Sequence, residues 1–535
     1  MLKWFYSLLM IMVCFSAAAQ GTIERIPEGL FPLTSEPKTL KIFIGGNASI
    51  EDFNTNAFTK WYEEQTGVKV EFQVAAGSQQ DITQALNLLL ASGDYPDVIL
   101  NSGVTTSQLA LYGQQGVFLP LNDLIEKVGV ETKQLFENYP QAKQVSTAPD
   151  GNIYALPEVN VCYHCTLAAK MYIYQPWLDK LGLETPTTTE EFRAVLQAFK
   201  TQDPNGNGQA DEIPLAATTQ PPGWNSRLDI FLGSAFITNP DTRRYLNEGV
   251  IDVTFNKPEY REALRYMNSL YTEGLIAPES LTQDQDGVDR MLRSEEVTVG
   301  AVPQGWMSAF VDTIGKEGTR FDQYVTLPPL EGPNGHREMP YYGYSVYPGK
   351  CIITSAASDP ELALRWCDAQ GNEEVQLHAY LGEEGVDWRW ATADEVGING
   401  KPAWYLPLTQ WGTVQNQQWS QTNLSYRTDA FRLGEMRKSD VDLEVWLYDQ
   451  SKKIEPYAQP IEKVVPPLYF TAEQAQELAD IEATITRFVD ESMSRFTNGD
   501  DNINDDAAWE TYLATLDQMG LSRMLEIYRD AHTPN

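Results

Sequence analysis

Apolar residues recur with two alternating periods from residue 40 onward. Leu40-Lys41-Ile42-Phe43-Ile44 reads as a strand ending at Gly45-Gly46. Phe58, Trp61 and Tyr62 then fall on one face of a helix over 57–65, stopped by Gly67. Residues 68–74 alternate again, 82–91 return to helical spacing and halt at Gly93, and Val98-Ile99-Leu100 is a short buried strand before a helix from Ser107. This β-α-β-α-β succession predicts an α/β lobe with a largely parallel sheet.

Beyond residue 172 the texture becomes helix-rich. Trp177, Leu178 and Leu181 mark a helix stopped by Gly182, and the threonines at 187–189 offer an N-cap for the next one. Strand-like segments return at 297–302 and at Cys351-Ile352-Ile353, the latter followed by a helix over 359–366. Thr471-Ala472-Glu473-Gln474 fits a capping box, and Leu478, Ile481, Ile485, Phe488 and Phe496 continue it as an amphipathic stripe. Helices through Leu513 and Leu525 close the chain, and no repeat or low-complexity block interrupts it.

Composition narrows the class. The 535 residues carry 39 Lys+Arg against 74 Asp+Glu, a net charge of −35, which excludes a dedicated phosphate-backbone binder. With 42% hydrophobic residues and 11% aromatic ones the chain is no disordered polymer, and its length suits two lobes better than one core. Met1-Leu2-Lys3, an apolar run over 4–15 and Ala17-x-Ala19 read as a secretory signal peptide, so the protein is expected to be exported to a periplasm or the cell exterior. Cys14 follows Ile11-Met12-Val13 instead of a small residue, which argues against a lipid anchor.

Cys162, Cys165, Cys351 and Cys367 remain, and four cysteines in an exported chain allow three disulfide pairings. The local pairing 162–165 with 351–367 is preferred because each bridge closes a short loop. Cys162-Tyr163-His164-Cys165 leaves redox or zinc chemistry as the sharper alternative, although the chain holds only four histidines to complete a zinc site.

The most specific chemistry lies at 203–214. Asp203, Asn205 and Asn207 stand at positions 1, 3 and 5 of an EF-hand-like loop, Gly208 at 6, and the Gln209 carbonyl at 7. Position 12 is Pro214 in place of glutamate, so Asp211 and Glu212 are expected to supply the closing carboxylates of a structural Ca²⁺ site. The competing reading is a Gly/Asn-rich turn with no metal. Residues 500–506 are a weaker lookalike without the turn glycine, read as a solvated linker.

The segment Trp177-Leu178-Asp179-Lys180-Leu181-Gly182-Leu183, Pro186-Thr187-Thr188, Phe192, Ala198-Phe199-Lys200 and the loop to Glu212-Ile213-Pro214 resembles family 1 of the bacterial extracellular solute-binding proteins, the carbohydrate-capturing components of ABC importers. Gly93-Asp94-Tyr95-Pro96-Asp97-Val98, Leu119-Pro120-Leu121, 151–157 and Met519-Gly520-Leu521 extend the resemblance, which is strongest to the large calcium-containing branch with alginate-oligosaccharide-binding proteins. It implies a two-lobed, periplasmic-binding-protein-like α/β fold with a hinge, an interlobe cleft and a helix-rich second lobe. The expected division is signal 1–19, leader 20–38, first lobe 39–165, second lobe 166–345, return to the first lobe 346–405, then hinge and C-terminal helices 406–535. It also implies Ca²⁺ on Asp203, Asn205, Asn207, Gln209, Asp211 and Glu212, an oligosaccharide ligand, a membrane permease as partner, no enzymatic activity and a monomeric protein.

Sugars present apolar C–H faces and polar edges, so their sites stack aromatic rings amid hydrogen-bonding groups. Candidates are aromatics in polar, Gly-containing segments: Trp224, Trp306, Tyr344, Trp388, Trp390, and Trp419 with Arg427. Trp306 and Trp419 are the strongest of these because both sit outside periodic elements, and Tyr163 and His164 lie where the chain is expected to change lobes. Trp61, Trp177, Trp366 and Trp509 fall on helical stripes and read as core. The rival function is a secreted glycoside hydrolase or polysaccharide lyase, which needs a spaced carboxylate pair that 74 acids cannot exclude. A third option, a sensor ectodomain partner, would share the fold and differ in what reads the closed state.

Overall fold

A computed structural model describes residues 25–219, 227–313, 319–409, 414–437 and 442–532. The signal segment and Trp224 therefore lie outside the described residues. Strand Lys38–Gly45 runs parallel to Val68–Ala75 on one side and to Val98–Leu100 on the other, in the register Ile42↔Val98 and Ile44↔Leu100. Val346–Ile353 lies antiparallel to Val98–Leu100 and to Leu156–Asn160, and Tyr426–Arg427 closes the six-stranded sheet beside Leu156–Asn160. The sheet is thus mixed, with one reversed strand at its centre, where the sequence suggested mainly parallel pairing.

Period-two alternation gives this sheet two apolar faces. Ile42, Ile44, Val98, Leu100 and Ile353 pack on one side, and Phe43, Ile99 and Ile352 pack on the other. Local signals set the flanking helices. Asn56 caps Ala57–Thr66, and Ser78 and Asp81 form a capping box for Gln79–Ser92. Gly93 ends the second at φ 75°, a conformation a side chain would strain. Cys351 and Cys367, 2.02 Å apart at sulfur, tie the central strand to helix Pro360–Asp368.

The second lobe holds a four-stranded sheet in the order Tyr324–Thr326, Lys170–Tyr174, Val299–Gln304, Ile213–Leu215. Its core is finished by C-terminal helices: Ile485, Val489, Met493 and Phe496 of Ala472–Asn498 are buried in it, as are Leu516 and Ile527. Among the described residues no helix is long and apolar enough to cross a membrane.

Three placements differ from the sequence reading. Residues 25–37 do not form a free leader: Leu33 is buried, the Phe31 ring meets Tyr62 edge-on at 6.0 Å, and Ile26 N donates to Glu374 at 2.8 Å. The return to the first lobe continues past 405, since Trp419, Leu424 and Tyr426 lie in that lobe's core. Trp419 itself is 0% exposed, with its indole N–H donating to Thr59 Oγ1 at 2.8 Å and its ring met edge-on by Phe58 at 4.9 Å. Phe53, Phe72 and Trp366 crowd the remaining directions. Trp419 is a core residue with no face left for a sugar, and its polar neighbours Gln418 and Ser420 concealed that.

Removing such a ring leaves a large cavity and takes the indole donor from Thr59 Oγ1, whose hydroxyl still donates to the Phe53 carbonyl at 2.7 Å. Trp419→Ala is expected to lower stability by about 3–5 kcal/mol, measured as a drop in the urea midpoint.

Candidate functional site

The strand directions place one set of ends together. Gly45, Leu100, Asn160 and Arg427 are carboxyl ends at the same edge of the first sheet, and the antiparallel strand Val346–Ile353 starts there. In the second lobe Gln304 ends its strand opposite the start at Lys170, and Leu215 ends the parallel neighbour. The chain changes lobes from these ends, over 161–169 and 331–345 and through helix Asp429–Leu433, which the second core follows at Leu443. Carboxyl strand ends are where open α/β sheets present ligand sites.

On the first-lobe edge Lys350 is the hub. Its ammonium, 5% exposed, donates to Asn101 Oδ1 at 2.9 Å, Glu158 Oε2 at 3.1 Å and the Gln421 carbonyl at 3.1 Å. Asn160 donates to Gln421 Oε1 at 3.2 Å, Ser49 meets the Ser420 hydroxyl at 3.1 Å, and Gln415 N donates to the Ser49 carbonyl at 2.8 Å. Asn101, Ser420 and Gln421 hold φ of 48°, 46° and 68°. Left-handed non-glycine residues of this kind collect at ligand clamps, where neighbours over-determine them. Gly45 is required here, because a Cβ would lie 2.1 Å from the Asn101 carbonyl oxygen.

On the second-lobe edge Lys170 is 0% exposed and donates to the carbonyls of His164 at 2.7 Å and Gly305 at 3.5 Å. It joins the first crossing to the turn that presents Trp306. Burial pulls its pKa down to about 7. His164 is also buried, which holds its pKa low, and its Nε2 lies 3.5 Å from Glu444 Oε2. Glu444 stays well below the carboxylate range: its burial is outweighed by Arg432 at 2.5 Å and then His164. Cys162 and Cys165 are 1.99 Å apart at sulfur. Bonded to each other, they leave no thiolates for the zinc alternative.

A separate constellation sits on the outer side of the second lobe. Asp203 Oδ1 and Oδ2 accept from Gly206 N at 2.9 Å and Gly208 N at 3.1 Å, while Asn205 and Asn207 donate to Asp211 at 2.8 and 3.0 Å. Gly208, at φ 75°, makes the turn that the sixth position of such a loop needs. Glu212 Oε1 is buried without a hydrogen-bond partner, and its pKa is raised by burial first and then by Asp203 and Asp211. Oxygen-bearing side chains at 203, 205, 207, 211 and 212 on one loop, with an orphaned carboxylate oxygen on Glu212, are the donor chemistry that suits a hard cation.

Residues 47–377 match the bacterial extracellular solute-binding protein family over more than half of the sequence. The chain belongs to that family. It is 29% identical over 546 residues to the fructooligosaccharide ABC transporter substrate-binding protein FusA of Streptococcus pneumoniae, covering 99% of this chain and 97% of that protein. The structure of FusA with kestose superposes with a TM-score of 0.72 at 26% identity, covering 92% of this chain and 98% of that one; the FusA structures also include an EF-hand mutant with fructo-nystose. An extracellular solute-binding protein from Bifidobacterium longum subsp. infantis gives a TM-score of 0.79 at 26% identity over 93% and 98% of the two chains. The present protein is therefore a two-lobed solute-binding protein and not an enzyme, which sets the hydrolase and lyase reading aside.

In this solute-binding frame the structure sorts the candidate residues. Trp306 stands half-buried at the second-lobe edge, immediately before Met307 at φ 59°. Tyr344 is half-buried on the second crossing, and Tyr163 on the first, where its ring meets Tyr448 at 4.8 Å. Arg427 ends its strand at the same edge but is 5% exposed, lying over the Tyr380 ring at 4.5 Å, so it packs more than it reaches out. Trp388 and Trp390 are elsewhere, in a small hairpin with Tyr405–Pro407. Trp388 is 0% exposed and donates to the Gly382 carbonyl at 3.0 Å, and Arg25 covers Trp390 at 4.1 Å.

Sequence reasoning missed Tyr347. It is 55% exposed on the reversed strand, paired across to Glu158 near the carboxyl ends of the first sheet. The Tyr-Pro-Gly step before Lys350 was the available signal, since Pro and Gly break a strand where a side chain must be presented. Asn101, Gln421 and Lys350 gave no signal at all.

The state of Lys170 yields a pH prediction. Its folded pKa of about 7 lies below the ordinary lysine value of 10.5, so between these pH values the unfolded chain binds the extra proton. Its cost to folding is full below pH 7 and fades as pH rises toward 10.5. Lys170→Met is expected to remove a rise in stability of at most about 1.4 kcal/mol per pH unit, read by urea unfolding at a series of pH values.

Proposed function

We propose that this protein captures an oligosaccharide between its lobes outside the cytoplasm and delivers it to an ABC transporter permease. What supports the reading is that the chain crosses between the two sheets at their strand ends, with Trp306 just after one of these ends and Tyr347 near the ends of the other sheet, beside amide side chains. FusA, similar along nearly the whole chain, is an ABC transporter substrate-binding protein seen with kestose. The crossings supply the hinge. Thr106 of the first lobe donates to the Leu468 carbonyl at 2.7 Å, while Tyr469 packs on the first lobe and Leu468 and Phe470 on the second. Tyr163, His164, Tyr344 and Arg427 belong to this reading as residues that line or brace the crossings.

Loss of a stacking ring in such a site costs mainly ligand affinity. Trp306→Ala and Tyr347→Ala are each expected to weaken oligosaccharide binding about 10- to 100-fold while leaving the unfolding temperature of the free protein within a few degrees. Calorimetric titration checks this, and wild-type affinity in both variants would sink the site assignment.

We further propose that Asp203, Asn205, Asn207, the Gln209 carbonyl, Asp211 and Glu212 hold a structural Ca²⁺. A bound divalent ion would satisfy Glu212 Oε1 and offset the three mutually repelling acids. The loop joins helix Thr189–Thr201 to strand Ile213–Leu215, so the ion would brace the second sheet. Chelation is expected to lower the melting temperature, and Asp203→Ala to lower it equally and abolish the response to chelator. A melting temperature indifferent to both treatments would leave the loop a metal-free turn.

A further inference from the structure

The chain has only four histidines, and one of them stands with two carboxylates on the first lobe. Among the described residues two groups bring the ligand atoms of three metal-binding side chains within 4.8 Å of one another. Cys162, His164 and Cys165 form one group, and their disulfide withdraws both sulfurs. Glu374, His378 and Glu384 form the other, and sugar capture makes no use of them.

Local structure builds this second group. Glu374 and His378 stand four residues apart on helix Glu373–Leu381 and so share a face, while Val375 and Ala379 bury in the first-lobe core. Gly382 ends the helix at φ 110°, and the chain turns there to bring Glu384 back to the same face. The His378 ring stacks on Trp61 at 4.2 Å and is met edge-on by Trp388 at 5.4 Å. Its Nδ1 lies 3.1 Å from the Gly382 carbonyl oxygen. A carbonyl only accepts, so Nδ1 carries the proton and the neutral ring keeps its lone pair on Nε2. Packing on the ring together with a backbone partner for the other nitrogen is how ligating histidines are held in register.

The carboxylates keep oxygens free. Glu374 is buried, and its Oε2 accepts from Ile26 N at 2.8 Å and pairs with Arg25 at 3.1 Å. Glu374 Oε1 and the exposed Glu384 carboxylate take part in no hydrogen bond or ion pair among the described residues. Arg25 is the competing charge, but its side chain is 60% exposed and lies over Trp390, and ion pairs of that kind return little net free energy. Three atoms no more than 4.8 Å apart share a centre at most about 2.8 Å from each, so side-chain shifts of about 0.7 Å bring them to Zn–N and Zn–O bonding distance.

We propose that Glu374, His378 and Glu384 form a Zn²⁺ site, with His378 Nε2 and one oxygen of each glutamate as ligands and water in the open position. An imidazole in the set favours a borderline divalent ion over Ca²⁺, which takes oxygen ligands. The ion would pin the end of helix Glu373–Leu381 to the turn that leads into the Trp388 hairpin. The site is independent of the oligosaccharide reading and of the 203–212 loop, which lies in the other lobe.

The test is calorimetric titration of the full chain with zinc chloride in excess Ca²⁺, which masks sites built of oxygen alone. One saturable Zn²⁺ per chain is expected, weakened about 100-fold in His378→Ala and about 10-fold in Glu384→Gln. Glu384 is exposed, so its variant keeps the test decisive if His378→Ala does not fold. In the wild type, Zn²⁺ is expected to shift the imidazole NMR signals of His378 and leave those of His164, His336 and His532 in place. No saturation by about 100 μM Zn²⁺, unchanged affinity in Glu384→Gln, or a shift confined to another histidine overturns the proposal.

Discussion

Each sheet closes its own apolar packing, and the chain passes between the lobes at 161–169, at 331–345 and after Arg427, where strands of the sheets end. That topological constraint places crossings, carboxyl strand ends and unpaired polar backbone at one edge. A binding site there needs no further construction, because the groups that a sheet cannot satisfy internally are the ones a polar ligand can use. Lys350 shows how closely the edge is held: one buried ammonium ties Asn101 after one strand, Glu158 within another and the loop at Gln421 into a single surface.

The crossings also explain why polar burial concentrates near the hinge. Lys170, His164, Glu444 and Arg432 form a chain of mutually dependent contacts between the first crossing, the Trp306 turn and the helix that re-enters the second lobe. Breaking one partner leaves another uncompensated, so the arrangement favours one geometry over nearby alternatives more than it adds net stability. The disulfide Cys162–Cys165 closes the same crossing, and Cys351–Cys367 braces the strand opposite Asn101.

Helix ends and the oxygen-rich loop were legible because their signals are local. Thr188 and Thr471 cap the helices their sequence announced, Gly67, Gly93 and Gly182 stop theirs in the left-handed conformation, and the 203–212 oxygens converge within one short turn. The candidate aromatic residues were sorted only by their surroundings in the fold. Trp306 and Trp419 share a polar sequence context, yet one stands at the strand-end edge and the other is enclosed by Phe53, Phe58 and Phe72. Trp388 fails as a candidate for the same reason: its hairpin folds over its own small core.

By itself the sequence pointed to an α/β chain too long for one core, marked the helix caps and the oxygen-rich loop, and favoured the local cysteine pairing among three, since these rest on composition or on residues near one another in the chain. Only the tertiary structure decided that the central strand runs reversed, that 406–427 stays with the first lobe, and that segments around Ser49, Asn101 and Ser420, far apart in the chain, form one surface. Those outcomes depend on pairings across tens to hundreds of residues, where local periodicity carries no information about which face meets which. The aromatic surplus of the composition was visible from the start, but a ring becomes a platform or a core filler according to what packs against its second face.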